Sequence, residues 1–166
     1  MSGARRLLLA GGIALALWGM GYGLWYAVFA EHQALEEIGA SLSSAFSGAA
    51  QRDVAQSAAA LLRYRESKYV YDRQVDVHSH WIGLAMVLIV LGLCFDRVSF
   101  SEKTKLWLAA GFLAGAFVFP LGVLFQVYDH GPLPRVLAIS GSALEIASLC
   151  LIALGLARRQ SFAHTS

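Results

Sequence analysis

Charge is what this chain has least of. Asp, Glu, Lys and Arg make up only 14% of its 166 residues while 57% are hydrophobic, against about a quarter charged in an average soluble domain. With a mean hydropathy of +0.57, that balance excludes an ordinary soluble domain and indicates an integral membrane protein. Cysteine is scarce too: Cys94 and Cys150 form no Cys-x-x-Cys pair, so there is no disulfide framework, and they read as two small buried or lipid-facing thiols. No glycine-rich phosphate loop, nucleophile elbow or Walker pattern occurs, so nothing supports soluble enzyme chemistry. The net charge is only +2 and sits mainly in short flanks that can meet anionic headgroups, which gives no reason to expect a nucleic-acid partner.

Long hydrophobic runs, in contrast, are plentiful. Four of them, at about 7–30, 77–95, 106–128 and 136–157, approach or exceed the roughly 20 apolar residues that cross a bilayer as helix. The bases Arg5, Arg6, Arg97, Lys103, Lys105, Arg158 and Arg159 all flank these runs on one side, which the positive-inside bias assigns to the cytoplasm. Both termini are then cytoplasmic and the protein is multi-pass in the plasma (inner) membrane. Trp25, Tyr26, Trp81 and Tyr128 fall at the outer boundary and Trp107 at the inner one, as expected of interfacial aromatic rings. Arg5 and Arg6 before an apolar run ending Val28-Phe29-Ala30 also have the outline of a secretory signal. A signal core is about 7 to 15 residues and this run is longer, which favours a retained helix.

The segment 31–76 is predicted to be extracytoplasmic. Apolar residues recur at helical spacing at Leu35, Ile38, Leu42, Phe46, Ala49, Val54, Ala58, Leu61 and Tyr64, which predicts one or two amphipathic helices. Ser47, Gly48 and Gln51-Arg52-Asp53 offer the break, as a bend or a helical hairpin. The alternation Tyr69-Val70-Tyr71-Asp72-Arg73-Gln74-Val75-Asp76 reads as an extended approach to the second span, with Asp76 placed to cap it. The whole is therefore an all-α fold: a four-helix membrane bundle with a helical insertion between its first two spans.

Four histidines, His32, His78, His80 and His130, fall at the outer ends of the spans, close in depth though far apart in sequence. Imidazole suits heme iron, copper and zinc. The expected site is a heme b held by His80 and His130, or a copper or zinc ion held among His78, His80, His130 and His32, with Asp76 and Asp129 as orienting carboxylates. Against this stands the simpler reading of histidines that tolerate the headgroup zone. Glu145 lies about nine residues into the fourth span, roughly 14 Å deep at 1.5 Å per residue, where an acid is costly and usually paired or functional. Gly19-x-x-x-Gly23 and Gly111-x-x-x-Gly115, continued by Gly122, predict close helix approach, and Pro120 predicts a kink.

Read in order, Gly19-Met20-x-x-Gly23, Val77-His78-Ser79-His80-Trp81-Ile82-Gly83, Phe119-Pro120-Leu121-Gly122 and Gly141-Ser142-x-Leu144-x-Ile146-x-Ser148 resemble small four-span membrane proteins similar to subunit I of heme-copper oxidases. The resemblance covers the spans but not residues 31–76. It implies respiratory-type chemistry with His78 or His80 as a ligand. No histidine lies within the third or fourth span, so an oxidase-type heme and copper pair cannot be assembled from this chain alone. The expected role is an electron-transfer, sensing or accessory component without independent catalysis, in contact with lipid and with other membrane subunits or further copies. The alternatives are a cofactor-free assembly subunit docking a partner through residues 31–65, and a small proton-coupled carrier using Glu145.

Overall fold

The computed structural model describes residues 1–163, and the side chains of residues 1–158. Arg159, counted above among the basic flanks, lies outside the described side chains. Ser2 caps α1 (Gly3–Phe29), its hydroxyl accepting from Arg5 N–H. One residue, Ala30, separates α1 from α2 (Glu31–Ala50). Its φ of −126° leaves the helical region, yet its N–H still donates to Tyr26 O and its carbonyl accepts from Ala34 N–H. The direction then reverses at Gln51-Arg52-Asp53. Arg52 closes this turn with φ 59°, a left-handed conformation that costs a non-glycine residue about 1–2 kcal/mol. Asp53 caps α3 (Val54–Cys94), its carboxylate accepting from Gln56 N–H at 2.9 Å. The expected break is thus a helical hairpin at 51–53, and Ser47 and Gly48 remain helical.

The 41 residues of α3 form one helix of about 60 Å, twice the hydrocarbon thickness of a bilayer. The extended approach expected over 69–76 is therefore helix, and Asp76 lies mid-helix rather than at a cap. The physical reason is a seam that the apolar alternation hides: Ala60, Ser67, Gln74, Trp81 and Leu88 are all buried, each seven residues from the last. A 3.5-residue repeat is the register of a left-handed coiled coil, and it overrides the strand-like alternation. Facing this seam, α1 buries Leu8, Gly12, Leu15, Gly19 and Tyr26, and α2 buries Ser41, Ala45 and Gly48.

A 3-10 turn, Phe95–Arg97, leads to Ser101, whose hydroxyl accepts from Thr104 N–H at 3.2 Å and caps α4 (Glu102–Phe125). After α4, the Asp129 carboxylate accepts from Gly131 N–H at 2.7 Å. Pro132 then opens α5 (Pro132–Ala163), a position where its missing N–H is tolerated. α4 packs on α1, α3 and α5, while α5 leans chiefly on α4. Four helices are long and apolar enough to cross a membrane: α1, the one ending at Arg97, α4 and α5. No strand occurs among the described residues.

Ser2 and Arg5 bond Asp96 at 2.9 and 2.8 Å, and Ser99 N–H donates to Gly155 O. The start of α1, the α3–α4 connection and the last turns of α5 therefore share one end of the bundle. The opposite end carries the α1–α2 junction and the α4–α5 turn, and beyond them stands the α2–α3 hairpin. Trp81, expected at the headgroups, is instead fully buried. It meets Tyr22 and Trp18 edge-on at 5.3 and 5.8 Å and stacks on Phe117 at 6.3 Å. Its indole N–H donates to Phe117 O at 3.4 Å, beside the Ala116 carbonyl that Pro120 deprives of its helical donor. Tyr26 is buried as well, whereas Trp25, Tyr128 and Trp107 are exposed. Seam position, not depth, decides which aromatic turns inward.

Candidate functional site

The four histidines share one end of the bundle, but each turns to a different partner. His32 stands exposed in the first turn of α2, Nε2 3.0 Å from Glu36 one turn on. His78 faces α1: its Nδ1 lies 3.0 Å from Gly19 O, and its ring occupies the space a Cβ at Gly23 would need. His80, roughly 200° farther round the helix, meets its own backbone through Nδ1 and Asp76 O at 2.6 Å. Its ring packs edge-on against Phe119 of α4 at 4.9 Å. His130, in the α4–α5 turn, lies 3.9 Å from Glu66 and 5.4 Å from the Tyr69 ring of α3.

Among the described residues, no group of three or more His, Cys, Asp and Glu side chains is placed to hold a metal. The two carboxylates expected to orient imidazoles have other partners. Asp76 pairs with Arg73 at 3.6 Å, so that its main-chain carbonyl and not its carboxylate meets His80, while Asp129 holds the turn at Gly131. Helix phase sets these directions, and height separates the rings as well, since His130 meets Tyr69, eleven residues along α3 from His80.

Glu145 is buried in the α4–α5 contact, and its Oε1 has no hydrogen-bond partner. Its Cγ would lie 2.8 Å from a Cβ at Gly115, and Ser148 Oγ would lie 3.1 Å from one at Gly111. The two glycines predicted to allow close approach therefore make room for this polar pair. The sequence reading missed a second buried polar set on the α1–α3 seam. There Tyr22 Oη donates to Gln74 Oε1, and Ser67 and Gln74 are both buried. Seven-residue spacing through Trp81 was the signal that could have found it.

The α2–α3 hairpin turns the larger residues of its apolar stripe outward. Small residues face the partner helix, with Gly48 against Asp53 and Ser57, because a small side chain lets two backbones approach. The large ones point outward: Phe46, Val54 and Leu62 are 73%, 79% and 65% exposed, and Leu35 and Leu61 about half. Ala49, Arg52, Val54, Ser57, Ala58 and Leu61 line an open groove of about 510 Å³ that joins the two helices. Toward the base of the hairpin the surface is charged. Lys68 donates to Asp72, which raises its pKa above the usual lysine value, and Arg73 stacks over Tyr69 at 5.1 Å. The arrangement is an outward apolar band with Arg52 and Arg65 beside it.

No family model, curated protein or solved structure matches the chain. Four glycines of the motifs on which a resemblance to oxidase subunit I was expected lie at helix contacts. Gly19 meets Trp81 and Ile82, Gly23 meets His78, Gly122 meets Ala138 and Gly141 meets Phe119.

Proposed function

We propose that this protein is a docking or assembly subunit of the plasma (inner) membrane, both termini cytoplasmic, holding a helical hairpin outside the bilayer for contact with protein. The observation that carries this reading is the outward-facing apolar band at Phe46, Val54, Leu61 and Leu62. Leu61 precedes Tyr69, the level that His130 of the α4–α5 turn reaches, by eight residues on an unbroken helix, about 12 Å at 1.5 Å per residue. A soluble surface rarely keeps such a band open unless something covers it. The orientation follows from the bases at the end of the bundle that bears Arg5, Arg97 and Lys103.

A photoreactive residue replacing Phe46 in the full chain tests the docking role in native membranes. Irradiation is expected to give a discrete adduct of higher mass. The same group in place of Ala40, on the polar side of the hairpin beside Glu37 and Arg63, is expected to give none. Failure to form any adduct at Phe46, or equal adducts at both positions, would overturn the reading.

A further inference from the structure

The two long sides of the hairpin differ in the charge they carry. On the polar side Glu37 and Arg63 line one groove, so acid and base share that surface. On the apolar side two grooves that share Ala58 and Leu61 run on from each other, with Arg52 lining one and Arg65 the other, and no acid lines either. Between those bases the floor is apolar. Val54, Ala58, Leu61, Leu62 and Arg65 recur at helical spacing along α3, which places them on one face. Arg65 therefore ends the apolar stripe in phase with it, about 16 Å from Val54 at 1.5 Å per residue, and Arg52 stands just past the other end.

Neither guanidinium forms an ion pair among the described residues. The acids of the hairpin are engaged elsewhere or stand away from the grooves. The Asp53 carboxylate accepts from Gln56 N–H at the cap of α3, Glu36 pairs with His32, Glu37 lines the opposite side and Glu66 is met by His130. Glu31 opens α2 at the foot of the hairpin, level with Gln74 by the antiparallel count that sets Gly48 against Ser57. The planar fork of arginine binds a carboxylate through two parallel hydrogen bonds. Two such forks fix both the sign and the spacing of what the side accepts: anionic groups at least about 16 Å apart with apolar surface between them. A helix laid in a groove has that pattern when acids close its apolar stripe at both ends. A phospholipid lacks it, because its anion stands at one end of its chains and the other end is apolar. A second copy lacks it too, since a twofold contact brings the same patch against itself and would set base beside base.

We infer that this face receives an acidic amphipathic helix of another protein, its apolar stripe on Val54, Ala58 and Leu61 and its terminal acids on Arg52 and Arg65. The inference rests on the docking role proposed above and names the chemistry of the partner. The apolar floor supplies attraction, while the two bases set the register and select the sign of what binds.

The test uses the full chain in discs of neutral phospholipid and a fluorescent helical peptide whose apolar stripe ends in glutamates about eleven residues apart, the span from Val54 to Arg65. Anisotropy is expected to show saturable binding that weakens with added salt. Arg52→Glu with Arg65→Glu should weaken it about tenfold through the loss of two exposed charge pairs, and should bind instead the same peptide with lysines for glutamates. Helical circular dichroism shows whether that variant has folded, and Arg65→Glu alone, which leaves the turn at Arg52 untouched, serves should the pair misfold. Equal binding of the two peptides by the unaltered chain, or binding of neither, would overturn the inference. Flotation of the discs with phosphatidylglycerol vesicles through Arg52 and Arg65 would overturn it as well, by assigning an anionic membrane surface to this side. The adduct at Phe46 separates this failure from that of the docking role. An adduct whose yield in native membranes is unchanged by Arg52→Glu with Arg65→Glu removes the acidic partner and leaves docking standing, whereas no adduct of any mass removes both.

Discussion

Gly141→Ala and Gly122→Ala probe the two places where, among the described residues, a Cβ on a glycine would come nearest to the backbone of another helix. A Cβ at 141 would lie 2.5 Å from Phe119 N and 2.7 Å from Phe119 Cα. One at 122 would lie 2.4 Å from Ala138 N and 2.8 Å from Ala138 Cα. The obstructing atoms are backbone, so no rotamer change relieves them, and the helices must part by about 1 Å to reach ordinary contact at roughly 3.5 Å. Lipid offers no hydrophobic term to offset that separation, because helix association there rests on van der Waals packing and polar contacts. A gap of about 0.5–1 Å forfeits roughly a quarter to a half of each contact's attraction. Overpacking of this kind costs about 1–3 kcal/mol, and α5 has little besides α4 to lean on. At about 2–4 °C per kcal/mol for a chain of this size, either substitution should lower Tm by roughly 4–8 °C at mid-range. The assay is thermal unfolding of the full chain in one detergent, followed by helical circular dichroism. Gly21→Ala and Gly83→Ala are the controls, since nothing lies within 4 Å of a Cβ at either. They should melt at or above the wild type, because alanine favours helix over glycine by up to about 1 kcal/mol. If Gly141→Ala and Gly122→Ala melt together with these controls, the backbone contact between α4 and α5 is refuted.

Two further outcomes follow from the same geometry. With Ser47→Cys in a background lacking Cys94 and Cys150, a membrane-impermeant maleimide applied to intact spheroplasts should label the hairpin, while Ser101→Cys should stay unlabelled until lysis; the reverse pattern would invert the proposed orientation. Protein expressed with excess heme and metal should purify without a Soret band and with substoichiometric copper and zinc, since the four imidazoles turn to four different partners. A Soret band lost on His80→Ala and on His130→Ala would restore the heme reading.

The spans were legible because each needs only length and apolar composition, which no tertiary contact alters. The second half of the insertion was not. Tyr69-Val70-Tyr71-Asp72 alternates as a strand does, and the repeat that makes it helical runs through Ala60, Ser67 and Gln74, a small residue and two polar ones that an apolar pattern passes over. The histidines show a different limit. They lie toward the same end of the bundle, but His130 stands at the level of Tyr69, eleven residues or about 16 Å along α3 from His80, and whether imidazoles converge depends also on helix phase and crossing, which are fixed by contacts such as Gly23 with His78 and His80 with Phe119.

The hairpin joins these two lessons. Apolar recurrence located its helices but could not say which face closes the pair, because two stripes run side by side on α2, Ser41-Ala45-Gly48 and Leu42-Phe46-Ala49. Burying the larger stripe inside would remove more apolar surface from water, at roughly 25 cal/mol per Å². The structure buries the smaller one, and that choice leaves the larger surface outside, where a second chain can recover the difference. A hairpin built only for its own stability would place Phe46 and Leu42 on the seam. The outward stripe is therefore the feature that ties the fold of this chain to the docking role proposed above, and Phe46→Ser, which leaves the buried Ser41-Ala45-Gly48 seam untouched, should preserve the hairpin's helical circular dichroism while removing its contact with a partner.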